Sequence, residues 1–276
     1  MAKDIYTDYD FKGAGRVRGL LAPTAAGDAA TKDFVEDAFQ PSLASKSVCS
    51  WVVPGNGSNA PVVIGAIALT AVGTATLANV TVTNALTRSK RLDYLVTAAA
   101  TDAVASLRYG RKMWTLGDAL GGFRFVCRWG PATGQANSSH RAFCGMSSTT
   151  AAPTDVDPST RINMVGMGWD AADTEVQFLC NDGAGTATKV ALGSGLPKPS
   201  TDRSVLYELD MYAPPGTGDL TWRVTELISG EVATGNATTN IPVSATLLCP
   251  SLYTSVGGVS DVTGLTLSRL YLESDY

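Results

Sequence analysis

The sequence predicts a mainly β fold, a β-sandwich over residues 43–276, preceded by a short strand-plus-helix segment in residues 1–42. Three observations lead there. In residues 161–212 apolar and polar side chains alternate. Val176, Phe178 and Cys180 share one side with Glu175 and Gln177 between them, and Val205, Tyr207, Leu209 and Met211 repeat the pattern against Glu208 and Asp210. A two-residue period is that of a strand with one buried face. Second, runs of this kind recur beyond residue 43, separated by Gly, Pro, Asn and Asp clusters, with no fixed repeat that would favour a propeller or solenoid. Third, the one clear helical pattern lies in the first 40 residues.

Taken along the chain, Asp28 can cap a helix through residues 29–39. Ala30, Phe34 and Ala38 form one stripe, Val35 and Phe39 lie beside it, and Gln40-Pro41 ends it. A helix of about three turns is marginal alone in water, so Phe34, Val35 and Phe39 are expected to pack on another chain or on the rest of the protein. Strands are expected over residues 47–53, 60–69 and 74–83, with Pro54-Gly55-Asn56-Gly57 as a turn. Residues 91–97 alternate through Leu92, Tyr94 and Val96. Residues 98–107 read either as a short alanine-rich helix or as strand. Phe123, Phe125, Cys127 and Trp129 face one way, Arg124 and Arg128 the other, and residues 149–159 are a loop. Residues 181–185, Asn-Asp-Gly-Ala-Gly, tolerate positive φ and supply a tight hairpin between the 175–180 and 205–211 runs. Residues 213–219 turn the chain into a strand over 220–228, Ser229-Gly230-Glu231 marks another hairpin, and residues 265–273 form the last strand.

With 276 residues and 45% hydrophobic content, the chain can bury a core of its own. Charged residues make up 17% and the net charge is −4, which argues against a nucleic-acid partner. The longest apolar run, residues 61–72, is too short and too rich in Gly and Thr to span a bilayer, and the polar first stretch is no signal peptide. Synthesis in a cytoplasm without membrane insertion is expected. Cys49, Cys127, Cys144, Cys180 and Cys249 are odd in number and lack CxxC spacing, which reads as reduced, buried thiols.

Candidate chemistry is sparse. No phosphate loop or dinucleotide fingerprint occurs, so no cofactor is expected. His140, the one histidine, precedes a strand containing Cys144; four residues of strand separate them by about 13 Å, so no catalytic residue is assigned. Asp170, Asp173 and Glu175, with Asn181 and Asp182 at the next turn, are oxygen donors that a closed hairpin could gather around Ca²⁺. The same residues could instead cap backbone N–H groups, and metal binding stays open. Glu208 and Asp210 share a strand face at a spacing open to a glycosidase pair, as in any strand with alternate acids. Trp169 beside Asp170, and Tyr253 in a Ser/Thr/Gly loop, are candidates for an aromatic platform that contacts a sugar, with core or edge packing as the alternative.

Residues 11–24, Phe-Lys-Gly-Ala-Gly-Arg-Val-Arg-Gly-Leu-Leu-Ala-Pro-Thr, followed by residues 27–35, Gly-Asp-Ala-Ala-Thr-Lys-Asp-Phe-Val, resemble a segment that recurs in tail-fibre proteins of tailed bacteriophages. There a short strand of leucine, small residues and proline leads into Asp-Ala-Ala-Thr-Lys and an aromatic-Val pair, more often with Tyr where this chain has Phe34. The resemblance implies a virion-proximal attachment or trimerisation segment with Phe11, Val17, Leu20, Phe34, Val35 and Phe39 as candidate contacts, in a homotrimer. Residues 141–146, 165–170, 205–209 and 267–275 resemble, in that order, the strands of the concanavalin-like, lectin-like jelly-roll module carried by many phage fibre proteins. Together these resemblances imply a structural, non-enzymatic virion fibre protein of tail or head. It would be made in the bacterial host cytoplasm, joined to other virion proteins by its N-terminus, and exposed through its sandwich for adhesion to a host cell-surface glycan. A non-adhesive decoration or connector protein and a glycan-degrading tailspike are the alternatives.

Overall fold

The computed structural model describes residues 47–52, 63–64, 67–84, 86–117, 121–216 and 218–274. The expected N-terminal helix, the contacts Phe11, Val17, Leu20, Phe34, Val35 and Phe39, and the turn at residues 54–57 lie outside them. The described chain is built from β1 (Ser47–Val52), β2 (Val63–Ile64), β3 (Ile67–Val72), β4 (Thr74–Ala78), β5 (Arg91–Ala100), β6 (Val104–Tyr109), β7 (Phe123–Thr133), β8 (Arg141–Ser147), β9 (Met164–Trp169), β10 (Gln177–Asn181), β11 (Thr188–Ala191), β12 (Tyr207–Ala213), β13 (Leu220–Glu226), β14 (Val232–Ala237), β15 (Cys249–Ser255) and β16 (Asp261–Ser274). Two antiparallel sheets of eight strands result. The first runs β14-β13-β12-β7-β16-β5-β4, with β1 also on β16; the second runs β11-β10-β9-β8-β15-β6-β3-β2.

Alternation packs the two sheets together. From the first come Phe123, Phe125, Cys127 and Trp129 of β7, Tyr207, Leu209 and Met211 of β12, and Leu220, Trp222 and Val224 of β13. From the second come Ala142, Cys144 and Met146 of β8, Val165, Met167 and Trp169 of β9, and Phe178 and Cys180 of β10. Indole stacks on indole between Trp129 and Trp169, with centroids 5.9 Å apart, and Phe178 lies flat on Trp222 at 4.6 Å. Gly235 leaves room for that indole, since a Cβ there would lie 2.4 Å from Trp222. Cys127, Cys144, Cys180 and Cys249 are buried and unbridged.

Several expectations change. The 175–180 and 205–211 runs do not pair: β10 belongs to the second sheet and β12 to the first. The turn after Asn181, with Gly183 at φ 117° and Gly185 at φ 67°, returns the chain into β11 instead. That short strand is exposed along its whole length, so it has no apolar face to announce it. Residues 98–107 resolve into the end of β5, a turn at 101–102 and the start of β6. The strand expected over 74–83 stops at Ala78, and that over 220–228 at Glu226.

The outer faces of the two sheets differ. Strands β8, β9, β10 and β15 are buried on both sides, because the segment 148–163 lies over the second sheet. Phe143, Met164, Leu179 and Tyr253 form a small apolar cluster there, the Tyr253 hydroxyl donates to the Val156 carbonyl at 3.2 Å, and Arg161 sits above both rings. On the first sheet Leu86 and Val205 press on Gly130, whereas β12, β13 and the first part of β7 keep the in-out alternation of a sheet with one solvated face.

Candidate functional site

The solvated part of the first sheet presents a fixed grid of side chains. Outward positions are Arg124, Val126 and Arg128 on β7, Glu208, Asp210 and Tyr212 on β12, and Thr221, Arg223 and Thr225 on β13. On β16 the register shifts between Leu267 and Arg269, leaving Ser268 as a bulge. The bulge changes which residues face inward, from Leu265 and Leu267 to Leu270 and Leu272, and so turns Arg269, Tyr271 and Glu273 outward. Across the strands, one row reads Thr221, Tyr212, Arg124, Glu273; the next Arg223, Asp210, Val126, Tyr271; the third Thr225, Glu208, Arg128, Arg269. With strands about 4.8 Å apart and residues about 3.4 Å apart, the grid covers a patch about 14 Å on a side.

Charge pairing stiffens this patch. Arg124 donates through Nε and Nη2 to the two oxygens of Asp210 at 3.2 and 2.9 Å, Arg128 pairs with Glu208, and the Tyr271 hydroxyl donates to Glu273. Burial, reinforced by the Glu273 carboxylate, pushes the Tyr271 phenol up to about 12, so it remains a hydrogen-bond donor at neutral pH. Tyr212 is 45% exposed. Four arginines stand against three carboxylates here, a net positive face on a chain of net charge −4. Arg223 and Arg269 are exposed and have no ion-pair partner among the described residues. The arrangement offers ring faces, charge-assisted donors and carboxylate acceptors in one plane.

The residues singled out in the sequence for sugar contact lie elsewhere. Trp169 is fully buried, stacked on Trp129 and met edge-on by His140 at 5.6 Å. It occupies the inward phase of β9 with Val165 and Met167, which is why it cannot be a surface platform. Tyr253 is also fully buried, within β15 and not in a loop, under Arg161. Asp170 accepts from the Ser159 backbone N–H at 3.1 Å and from Lys189 at 2.7 Å. Burial alone would raise its carboxyl, but these hydrogen bonds outweigh burial and hold it below the usual carboxylate range. Tyr212 was within reach of the sequence, since it continues the outward phase of Glu208 and Asp210; Tyr271 was not, because the bulge breaks the phase.

The acidic set disperses in the same way. Asp170 and Asp173 share the Lys189 ammonium. Asn181 and Asp182 accept N–H groups of their own turn, from Gly183 and Ala184. Among the described residues no group of three or more His, Cys, Asp or Glu side chains is placed to hold a metal ion. Lys198 supplies a further cation here, donating to the carbonyls of Ser138, Asp170 and Ala171 at 2.8, 3.1 and 2.7 Å; burial lowers its pKa to about 8. Glu208 and Asp210 share one face, as the alternation indicated, each paired with an arginine. His140 is buried in the core wall, while Cys144 contacts Cys127 across the sandwich.

No protein-family model and no curated protein matches the sequence. Solved structures do match the fold. Peanut lectin with a 9-mer peptide aligns at TM-score 0.51 and 12% identity, over 83% of this chain and 97% of the lectin. The lectin UEA-II complexed with galactose aligns at 0.52 and 12%, over 82% and 98%. Lectin II from Ulex europaeus aligns at 0.51 and 11%, over 83% and 99%. At such identities the likeness speaks to architecture alone, and that architecture is a lectin-like β-sandwich.

Proposed function

We propose that this chain is a structural virion fibre protein of a tailed bacteriophage, anchored by residues 1–42, whose sandwich adheres to a host-surface glycan without cleaving it. The observation that carries the binding role is the open grid on the first sheet. Tyr212 and Tyr271 offer ring faces on either side of Arg124, and a sugar's C–H faces pack on such rings while its hydroxyls take hydrogen bonds from the Arg124–Asp210 pair, Arg223 and Thr221. A flat patch suits an extended saccharide lying across strands better than a small sugar in a pit. The lectin-like architecture supports the reading, and the resemblance of residues 11–35 to tail-fibre segments supports the virion setting.

The test is binding of fluorescent full-length protein to a panel of bacterial strains, with unlabelled protein as competitor and with cells whose glycans have been oxidised by periodate. Saturable, competed binding that periodate abolishes, with no saccharide released, is the expected result. Release of saccharide would make the chain a depolymerase. Failure of the folded protein to bind any strain would favour a connector packed against other virion proteins.

A further inference from the structure

The second sheet carries a different unfilled chemistry under the segment 148–163. On its outer face Arg108 of β6 lies opposite Ser251 of β15, and Ser106 opposite Tyr253. Beyond Ser251 come Gly145 and then Gly166, so no side chain stands on that part of the sheet. Arg161 descends from the overlying segment, its Cζ 5.1 Å from the centre of the Tyr253 ring, and Arg108 Nε reaches the same segment at the Thr150 carbonyl, 2.9 Å away. Arg108 Nη1, Arg161 Nη1, Ser106 Oγ and Ser251 Oγ are all buried and none has a hydrogen-bond partner. Neither arginine has a carboxylate among the described residues; the nearby Asp155 and Asp157 are both taken by Arg141. Positive charge from Arg161, Lys112 and Arg108 converges on Cys249, two residues from Ser251 on the same strand.

A buried Arg108 guanidinium without counter-charge, joined by a half-buried Arg161 whose Nη1 is also buried and unpartnered, beside fully buried hydroxyls without partners, is unfavourable. The group that would satisfy them must be negative, small and able to accept several hydrogen bonds at once. We propose that Arg108, Arg161, Ser106 and Ser251 form an oxyanion-binding site, taking a sulfate, a phosphate or the carboxylate of an acidic saccharide. The site lies on the opposite side of the sandwich from the first-sheet grid and does not depend on the role assigned to that grid.

Its test is a thermal-unfolding titration of the full-length protein with sodium sulfate and, separately, sodium glucuronate, against sodium chloride at equal ionic strength. Sulfate stabilises most folded proteins by exclusion from their surface, so the reading is the saturable part of the shift. Wild type is expected to show it with at least one of the two anions. Arg108→Gln and Arg161→Gln are each expected to weaken it tenfold or more, while Arg88→Gln, an exposed arginine outside both the grid and this site, leaves it unchanged. Tighter response to glucuronate would identify a saccharide acid as the ligand, and tighter response to sulfate a free inorganic anion. Should the arginine variants fail to fold, the double variant Ser106→Ala/Ser251→Ala, which keeps both charges, is expected to weaken the response severalfold. No saturable shift with either anion, or one that the arginine or serine variants leave intact, would overturn the assignment.

Discussion

His140 illustrates how one buried side chain sets a solution property. Its Nδ1 donates to the Asn137 carbonyl at 2.6 Å, while Nε2 is buried without a partner beside Trp169. Burial, helped by the charge of Lys198, lowers its pKa from 6.5 to about 4. The unfolded chain therefore takes up this proton near pH 6.5 and the folded chain only near pH 4, so stability falls as pH drops through that window. At 1.36 kcal/mol per pKa unit the loss reaches about 3 kcal/mol. Urea unfolding at pH 7 and pH 4.5 is expected to show it, and His140→Gln to flatten it; an equal loss in the variant would place the titration elsewhere. Trp169 allows a second check at this scale. Truncating a core indole costs about 3–5 kcal/mol, so Trp169→Ala is expected to lower the urea midpoint steeply, whereas a surface platform residue would hardly move it. Trp169 next to Asp170 suggested a surface platform, but the parity it shares with Val165 and Met167 in the same run already marks it as inward.

Among the elements, β8 and β9 approach closely because glycine alternates with core residues. A Cβ on Gly166 would lie 2.3 Å from the Cys144 carbonyl oxygen and 2.8 Å from Gly145 Cα. Both obstacles are backbone, so Gly166→Ala is expected to destabilise by about 1–3 kcal/mol, measurable as a lowered unfolding temperature with the fold retained. Individual strands were well marked in the sequence wherever one face is wet: β7, β12 and β13 follow the alternation of Phe123 to Trp129, Tyr207 to Met211 and Trp222 to Val224. Pairing was not. The hairpin residues 181–185 are where a turn belongs, but the alternation of β10 and that of β12 look alike because both line the one core, from opposite sheets. β11 lacks an apolar face, and the β16 bulge hides the outward turn of Tyr271.

Across the described residues of the sandwich, the outer faces of the two sheets differ. The second sheet is roofed by 148–163, held down by Arg141 pairing with Asp155 and Asp157 and by Asp155 accepting the Gly257 and Gly258 N–H groups. The first sheet leaves its grid open. The sandwich class was legible from strand spacing, but which outer face stays solvated was not, because it depends on which face a distant loop covers. Contact of the proposed glycan with the grid of Tyr212, Arg223 and Tyr271 is decided by a glycan array probed with three full-length proteins. Wild type and Val190→Ala, an exposed change on the second sheet, are expected to bind the same saccharides equally. Tyr212→Ala/Tyr271→Ala is expected to lose them at least tenfold while the protein still unfolds cooperatively, with no more than a small drop in unfolding temperature from the part-buried Tyr271 ring and its bond to Glu273. Equal binding by all three proteins would contradict the claim and move any glycan contact off the first sheet.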